Sequence, residues 1–156
     1  MTLAITAAKK AKISFTLHEY THDPENKNFG AEAVQKLGLP ANEVFKTLLA
    51  KLDGAQLVVA IVPVSATLDL KALASCFGAK RAELADVKEA EKATGYVAGG
   101  ISPLGQRKRL PALLDSSAQA LPKIYVSGGK HGLDIGLSPQ DLARLIDAEF
   151  VSIARF

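Results

Sequence analysis

Tryptophan is absent from this chain, and cysteine and methionine occur once each. A lone Cys76 cannot close an internal disulfide, so nothing ties the fold to an oxidising compartment. No apolar run approaches the roughly 18 residues that a membrane span requires. The opening MTLAITAAKKAK carries its lysines after the apolar residues, the reverse of a secretory signal. A bacterial-type cytoplasmic protein is the expectation. Charge of one sign is also scarce: 19 Lys and Arg face 16 Asp and Glu, a net of +3, too little to predict nucleic-acid binding by itself. The chain has no HExxH, no GxSxG elbow, no GxxxxGK[ST] loop and no GxGxxG fingerprint. Those absences argue against a metal centre, a serine nucleophile, a P-loop and a dinucleotide site. His18 and His22 stand four apart, but in an extended context with Pro24 following, so they do not converge on a metal.

What is present is 156 residues, 48% hydrophobic and 22% charged. That is one ordinary domain, long enough to bury roughly 70% of the surface its unfolded form exposes. Its focus is Gly95 to Gln106, GYVAGGISPLGQ, with four glycines and a proline in twelve residues. Such a stretch cannot be helix interior, where glycine costs about 1 kcal/mol and proline about 3. Yet Tyr96, Val97, Ala98, Ile101 and Leu104 want burial, so the segment is no polar linker. Apolar residues punctuated by glycine suggest backbone brought close to a ligand. A second cluster, Ser127 to Gly132, would supply a facing wall; two tight turns is the plainer reading, and spacing alone leans to it.

The pattern predicts an N-terminal helix over residues 2–12 capped by Thr2, then a half-buried strand from Ile13 to Tyr20. A helix from Ala31 to Leu37 stops at Gly38. Strands follow at Val44–Leu52 and Leu57–Val62, the second a continuous apolar run, with Asp53-Gly54 as the hairpin turn. Further helices are expected at Leu68–Phe77, Asp86–Thr94 and from Ser138 to about Ile146, and strands at Lys80–Leu84, Leu110–Leu114, Ile124–Val126 and Phe150–Ile153. Hairpins mixed with crossovers imply a mixed sheet in one α/β domain. Cys76 reads as a buried, inert thiol.

Lys46 is the best single candidate for chemistry: a lysine in a central strand must snorkel to water or be held in a pocket. A solvent-facing strand lysine fits the pattern about as well. Tyr20 would pair with it or simply pack. Thr47, Ser102, Ser127 and Asp134 are small polar groups beside the glycine segments, and none forms a nucleophile arrangement. Glycine amides plus one lysine can hold an anion or a developing oxyanion without supplying a nucleophile. Such a site suits an activated ester attacked by water or by the substrate itself. Arg107, Lys108 and Arg109 form a short basic run beside the first glycine segment.

FKTLL at Phe45–Leu49, TGYVAGGISPLGQ at Thr94–Gln106, YVSGGKHGLDI at Tyr125–Ile135, HDP at His22–Pro24 and FG at Phe29–Gly30 together resemble the YbaK family of bacterial aminoacyl-tRNA deacylases, end to end. Within it they are most similar to the Cys-tRNA(Pro) deacylase branch. The family is homologous to the editing insertion domain of bacterial prolyl-tRNA synthetases. The resemblance implies a YbaK-like editing fold, an α/β mixed sheet, partly barrel-like, flanked by helices. It implies hydrolysis of cysteine wrongly attached to proline tRNA, in trans to prolyl-tRNA synthetase, with no cofactor, metal, membrane or DNA. Lys46 becomes the essential lysine. Gly99, Gly100, Ile101, Ser102 and Pro103 would line the site, facing Ser127, Gly128 and Gly129. Tyr20, Phe29, Thr47 and Asp134 would contact substrate, and Arg107, Lys108, Arg109, Lys130 and His131 the tRNA. His131 stands where relatives usually carry arginine, which would weaken a phosphate contact and make it pH-sensitive. At net charge +3 the chain alone is expected to bind tRNA weakly, with the synthetase supplying selection. The rival readings are a deacylase for alanyl- or prolyl-tRNA and a non-catalytic tRNA-binding module.

Overall fold

Two β-sheets part from one another beside the central hairpin, and that divergence shapes the molecule. The structure is a computed structural model that describes residues 1–156. In chain order the elements are α1 (Leu3–Ala11), β1 (Phe15–Glu19), α2 (Phe29–Leu37), β2 (Phe45–Leu52), β3 (Gln56–Pro63), β4 (Thr67–Leu68), α3 (Leu70–Cys76), β5 (Ala82–Leu84), α4 (Val87–Thr94), β6 (Ala112–Asp115), β7 (Ile124–Lys130), β8 (Leu133–Leu137), α5 (Pro139–Ile146), β9 (Glu149–Val151) and β10 (Ala154–Arg155). A five-stranded sheet has the order β5-β2-β3-β6-β9, a three-stranded one β1-β8-β7, and β10 pairs with β4. The pairs β3–β6 and β6–β9 are parallel and the others antiparallel, so the sheet is mixed, as the pattern predicts. The barrel-like expectation needs correcting. The sheets do not close; a single parallel bridge, Val44 to Tyr125, joins them, with the Tyr125 N–H donating to the Glu43 carbonyl at 2.9 Å.

Alternation along the strands divides the core in two. Phe45, Leu49, Val59, Ile61 and Leu114 pack against Val126, Ile135 and Leu137 of the smaller sheet, with Ala4 and Ala8 of α1 and Leu142 of α5 closing the layer. The opposite face, Ala50, Leu52, Val58, Ala60 and Val62, takes Leu73 from α3 and Ile153. β3 is therefore covered on both sides, which is why its sequence is continuously apolar rather than alternating. At the hairpin Asp53 and Gly54 both have positive φ, 49° and 68°, the geometry that the Asp-Gly pair favours. Thr2, Asp86 and Ser138 cap their helices through the side-chain oxygen, and Gly38 and Gly95 end theirs in the left-handed conformation.

The structure departs from the sequence pattern in four places. Cys76 is exposed, because α3 turns Leu73 and Ala74 inward and leaves the thiol on its outer side. Leu17 is 46% exposed, since β1 is an edge strand with no layer over it there. Strand β8 escapes the sequence pattern altogether: all five of its residues are buried, including Asp134 and Gly136, so neither alternation nor an apolar run marks it. The expected last strand also divides into β9 and β10, with Ile153 buried between them.

Asp115 holds that division in place. The carboxylate, 2% exposed, accepts the Ile153 and Ala154 N–H groups at 2.9 Å each on Oδ1 and the Ser117 N–H at 3.1 Å on Oδ2. Removing it leaves the buried Ile153 N–H and the part-buried Ala154 and Ser117 N–H groups without their acceptor. Asp115→Ala should therefore lower the unfolding free energy by about 2–4 kcal/mol in a urea titration. No helix is long and apolar enough to cross a membrane.

Candidate active site

A cavity of about 260 Å³ opens where the two sheets separate, lined among others by Tyr20, Phe29, Lys46, Thr47, Gly99, Ile101, Ser127 and Asp134. Each wall comes from a different part of the chain. β2 delivers Lys46 and Thr47 just beyond the bridge at Val44. β8 delivers Asp134 between His18 of β1 and Ser127 of β7, its partners in register. The start of α2 brings Phe29, and the glycine segment after α4 crosses above it.

The cavity's charges lack protein partners. Lys46 is half-buried and pairs with no carboxylate, and burial lowers its pKa from the usual lysine value. Asp134 is 5% exposed, and its carboxyl receives no hydrogen bond; burial raises its pKa to about 7. Burial, and then the charges of Asp134 and Glu32, push Tyr20 up to about 12, so its phenol stays a donor at neutral pH. The Thr47 hydroxyl is buried without a partner of any kind. A buried orphan hydroxyl is costly unless a ligand satisfies it.

The glycine loop is held in position by contacts that tolerate no side chain. Gly99 has φ +83°, and a Cβ there would lie 2.5 Å from the Phe29 ring. At Gly100 a Cβ would meet the Lys130 backbone at 2.9 Å. His131 is turned inward: its ring stacks on Phe29 at 5.1 Å, and its Nε2–H donates to the Ala98 carbonyl at 2.7 Å. The carbonyl can only accept, which fixes Nε2 as the protonated nitrogen. Beneath this pair lies Glu32, 1% exposed. It accepts from His22 Nδ1 at 2.5 Å, the Asp23 N–H at 2.8 Å and Lys36 Nζ at 3.0 Å. Burial alone would raise the Glu32 pKa; those bonds overrule it and hold the carboxyl at about 2. His22 in turn packs on His131 at 4.5 Å, so the buried carboxylate supports the loop through two imidazole rings.

The cavity thus gathers Lys46, Tyr20, Phe29, Thr47, Gly99, Ile101, Ser127 and Asp134. The structure places the other candidates elsewhere. Ser102 is fully buried and its hydroxyl accepts the Leu104 N–H at 3.2 Å. Pro103, Lys108 and Arg109 line a separate cavity of about 230 Å³ against Ala7, Val59 and Leu145. Arg107 lies over Gly95. Gly128 packs on the Leu133 side chain and Gly129 on Tyr96 and Thr2, both within β7 rather than in a free turn. Lys130 is exposed. His18 faces Thr16 and Tyr125 while His22 faces Glu32, and no cluster of three metal-ligating side chains forms. Asn28, Gly30 and Val44 also border the cavity, with nothing but the FG at Phe29–Gly30 to mark them in the sequence.

The profile of the aminoacyl-tRNA editing domain matches residues 24–145. The chain belongs to the aminoacyl-tRNA editing domain family. Its editing chemistry is hydrolysis of the ester between amino acid and tRNA, which makes the chain an aminoacyl-tRNA hydrolase. Among curated relatives it is 35% identical over 153 residues to EbsC of Enterococcus faecalis, named for deacylation of Cys-tRNA(Pro) and Cys-tRNA(Cys), covering 97% of this chain and 92% of that one. It is 30% identical over 140 residues to the multifunctional Ser/Thr-tRNA deacylase ProXp-y of Escherichia coli K12, covering 86% and 82%. A solved structure described as a trans-editing enzyme for prolyl tRNA synthetase superposes with a TM-score of 0.85 at 22% identity, over 99% of this chain and 96% of that one. At that identity the likeness speaks to the fold.

Two outcomes follow from this geometry. Gly99→Ala must displace either the loop or Phe29, so its activity should fall steeply and the fold lose about 1 kcal/mol or more from the positive φ alone. Asp134 has a folded-state pKa above its unfolded value, 7 against 3.8. Its favourable contribution is thus complete below about pH 3.8 and lost as pH rises to 7. Asp134→Asn, which mimics the protonated carboxyl, should stabilise the protein at pH 8 by an amount on the order of a few kcal/mol and leave it unchanged at pH 3.5. Denaturant melts at the two pH values check this.

Proposed function

We propose that the chain is a trans-editing deacylase that clears cysteine from Cys-tRNA(Pro), acting in the cytoplasm alongside prolyl-tRNA synthetase. The observation that carries the proposal is one cavity holding a cation and a carboxyl, neither with a protein partner. An aminoacyl ester needs both. Asp134 would bind the substrate's α-ammonium, which favours the ionised carboxylate that burial otherwise disfavours. Lys46 would face the oxyanion that develops on the ester carbonyl, and the Thr47 hydroxyl would find there the partner it lacks. At about 260 Å³ the cavity lies below the 300–1,000 Å³ typical of drug-sized ligands and suits a small amino acid.

Fit alone discriminates poorly, by roughly 1–3 kcal/mol per methylene, so a pocket for cysteine would admit alanine and serine. Chemistry supplies the remainder. The cysteine sulfur attacks the ester carbonyl carbon, the bond from that carbon to the ribose oxygen breaks, and the thiol proton ends on that oxygen. Water then opens the cyclic thioester. Serine's hydroxyl is a far poorer nucleophile at neutral pH, and alanine has none. No protein nucleophile is needed, in keeping with a cavity that offers no activated serine or cysteine; Cys76 lies outside it. The Enterococcus relative named for Cys-tRNA supports the cargo, while the Escherichia relative named for Ser/Thr-tRNA is the reason to include serine in the test.

Deacylation of Cys-, Ser- and Ala-tRNA(Pro) by wild type and Lys46→Ala decides between them. Rapid loss of the cysteinyl ester only is expected, reduced on the order of 100-fold or more by the substitution. Equal rates on all three esters would overturn thiol assistance, and an active Lys46→Ala would overturn the role of the lysine.

A further inference from the structure

Lys46 borders two cavities, not one. Beside the inner pocket runs a more open groove of about 510 Å³, and the two share Asn28, Gly30 and Lys46. The groove continues along Ser65 and Thr67 to Arg155 and Phe156. Its polar groups point to a ligand of definite chemistry. Ser65, Thr67 and Asn28 are exposed and offer two hydroxyls and an amide, the Thr67 hydroxyl donating weakly to the Arg155 carbonyl at 3.4 Å and free to accept. The Arg155 side chain is 68% exposed, held only by an ion pair to Asp69 at 3.6 Å. Phe156 presents an aromatic ring that is 77% exposed. Hydroxyl and amide partners for a sugar, a guanidinium for a phosphate and an aromatic face for a base are the elements of nucleotide recognition.

The backbone that carries this groove is fixed. β10 pairs antiparallel with β4, placing Arg155 opposite Thr67, and Asp115 anchors the strand through the Ile153 and Ala154 amides. Gly30 belongs to the same arrangement: a Cβ there would come within 2.9 Å of the Val64 side chain, so the start of α2 sits directly against the groove's floor.

We infer that this groove is the subsite for the terminal adenosine nucleotide of the tRNA 3′ end, with the ribose near Ser65 and Thr67 and the phosphate at Arg155. The inference rests on the deacylase reading, and the reason is geometric. The scissile ester joins an aminoacyl half to a nucleoside half, and the group that faces the ester must touch the sites of both. Lys46 is the one cationic side chain that lines both cavities. The inner pocket, with Asp134 and Thr47, takes the amino acid, which leaves the outer groove for the nucleotide. The basic run Arg107–Arg109 cannot serve this subsite, because Lys108 and Arg109 lie beside a different cavity and Arg107 packs over Gly95.

Titration of the full chain with the trinucleotide CCA, followed by amide chemical shifts, tests the assignment without requiring turnover. Shifts are expected at Ser65, Thr67 and Arg155, with a Kd that rises about fivefold in Arg155→Ala, is partly restored in Arg155→Lys, and loses about 0.7 from its salt slope. For aminoacyl-tRNA the same variant should raise KM rather than lower kcat. Shifts confined to Arg107–Arg109, or none at millimolar trinucleotide, overturn the subsite. A wild-type protein that hydrolyses no aminoacyl-tRNA would sink the deacylase reading instead, while the CCA shifts still decide whether the groove binds the nucleotide.

Discussion

One parallel bridge, Val44 to Tyr125, sets the geometry on which the site depends. Strands that continue side by side bury their faces against each other; strands that touch at one point and then diverge leave a wedge between them. Here the wedge opens immediately past the bridge, so on the side away from β3 the next residues of β2, Lys46 and Thr47, border a cavity rather than a second strand. The same divergence exposes Asp134 of β8 to that space while keeping it out of bulk water. A lysine and an aspartate with no counter-charge would be destabilising anywhere else in a core. The aminoacyl ester proposed as substrate would supply the counter-charges that both lack.

The rest of the fold secures this wedge from three sides. Glu32 organises His22, Lys36 and the Asp23 amide, and through His22 and His131 it steadies the backbone at Ala98 ahead of Gly99. Phe29 then packs under Gly99 so closely that the loop's height above the cavity is determined by a ring's thickness. Asp115 ties β6 to the β9–β10 connection and so carries the outer groove. Two of these supports, Glu32 and Asp115, are buried carboxylates satisfied by converging donors, a means of holding irregular chain that apolar packing alone cannot provide. The glycines matter here for the space they leave, at Gly99 and Gly100 above all, more than for turning the chain.

Much of this was legible beforehand, and the failures have a common cause. Most helix ends, the Asp53-Gly54 hairpin and the buried run of β3 follow from local chemistry and stand where the pattern puts them, whereas α2 begins at Phe29 rather than Ala31 and α3 at Leu70 rather than Leu68, which belongs to β4. Lys46 could be singled out because a lysine between apolar strand residues is locally anomalous. The glycine clusters were visible, yet only part of each reaches the cavity: Gly99, Ile101 and Ser127 do, whereas Ser102, Pro103, Gly128 and Gly129 pack elsewhere. His131 was expected at the tRNA and is instead folded beneath the loop. Cys76 was expected inside and lies outside. In each case the deciding neighbour is remote in sequence.

The order of residues was enough for the class of the fold, the type and approximate place of most elements and, through its long motifs, the family. These depend on interactions within a few residues, or on patterns long enough to be recognised whole. Tertiary structure alone decided that β8 is a strand, that Asp134 has no partner, that Glu32 is buried and that Lys46 borders two cavities. Those properties arise from which surfaces meet across distant parts of the chain, and the burial that sets a charge's behaviour is a property of the assembled walls, not of any one of them.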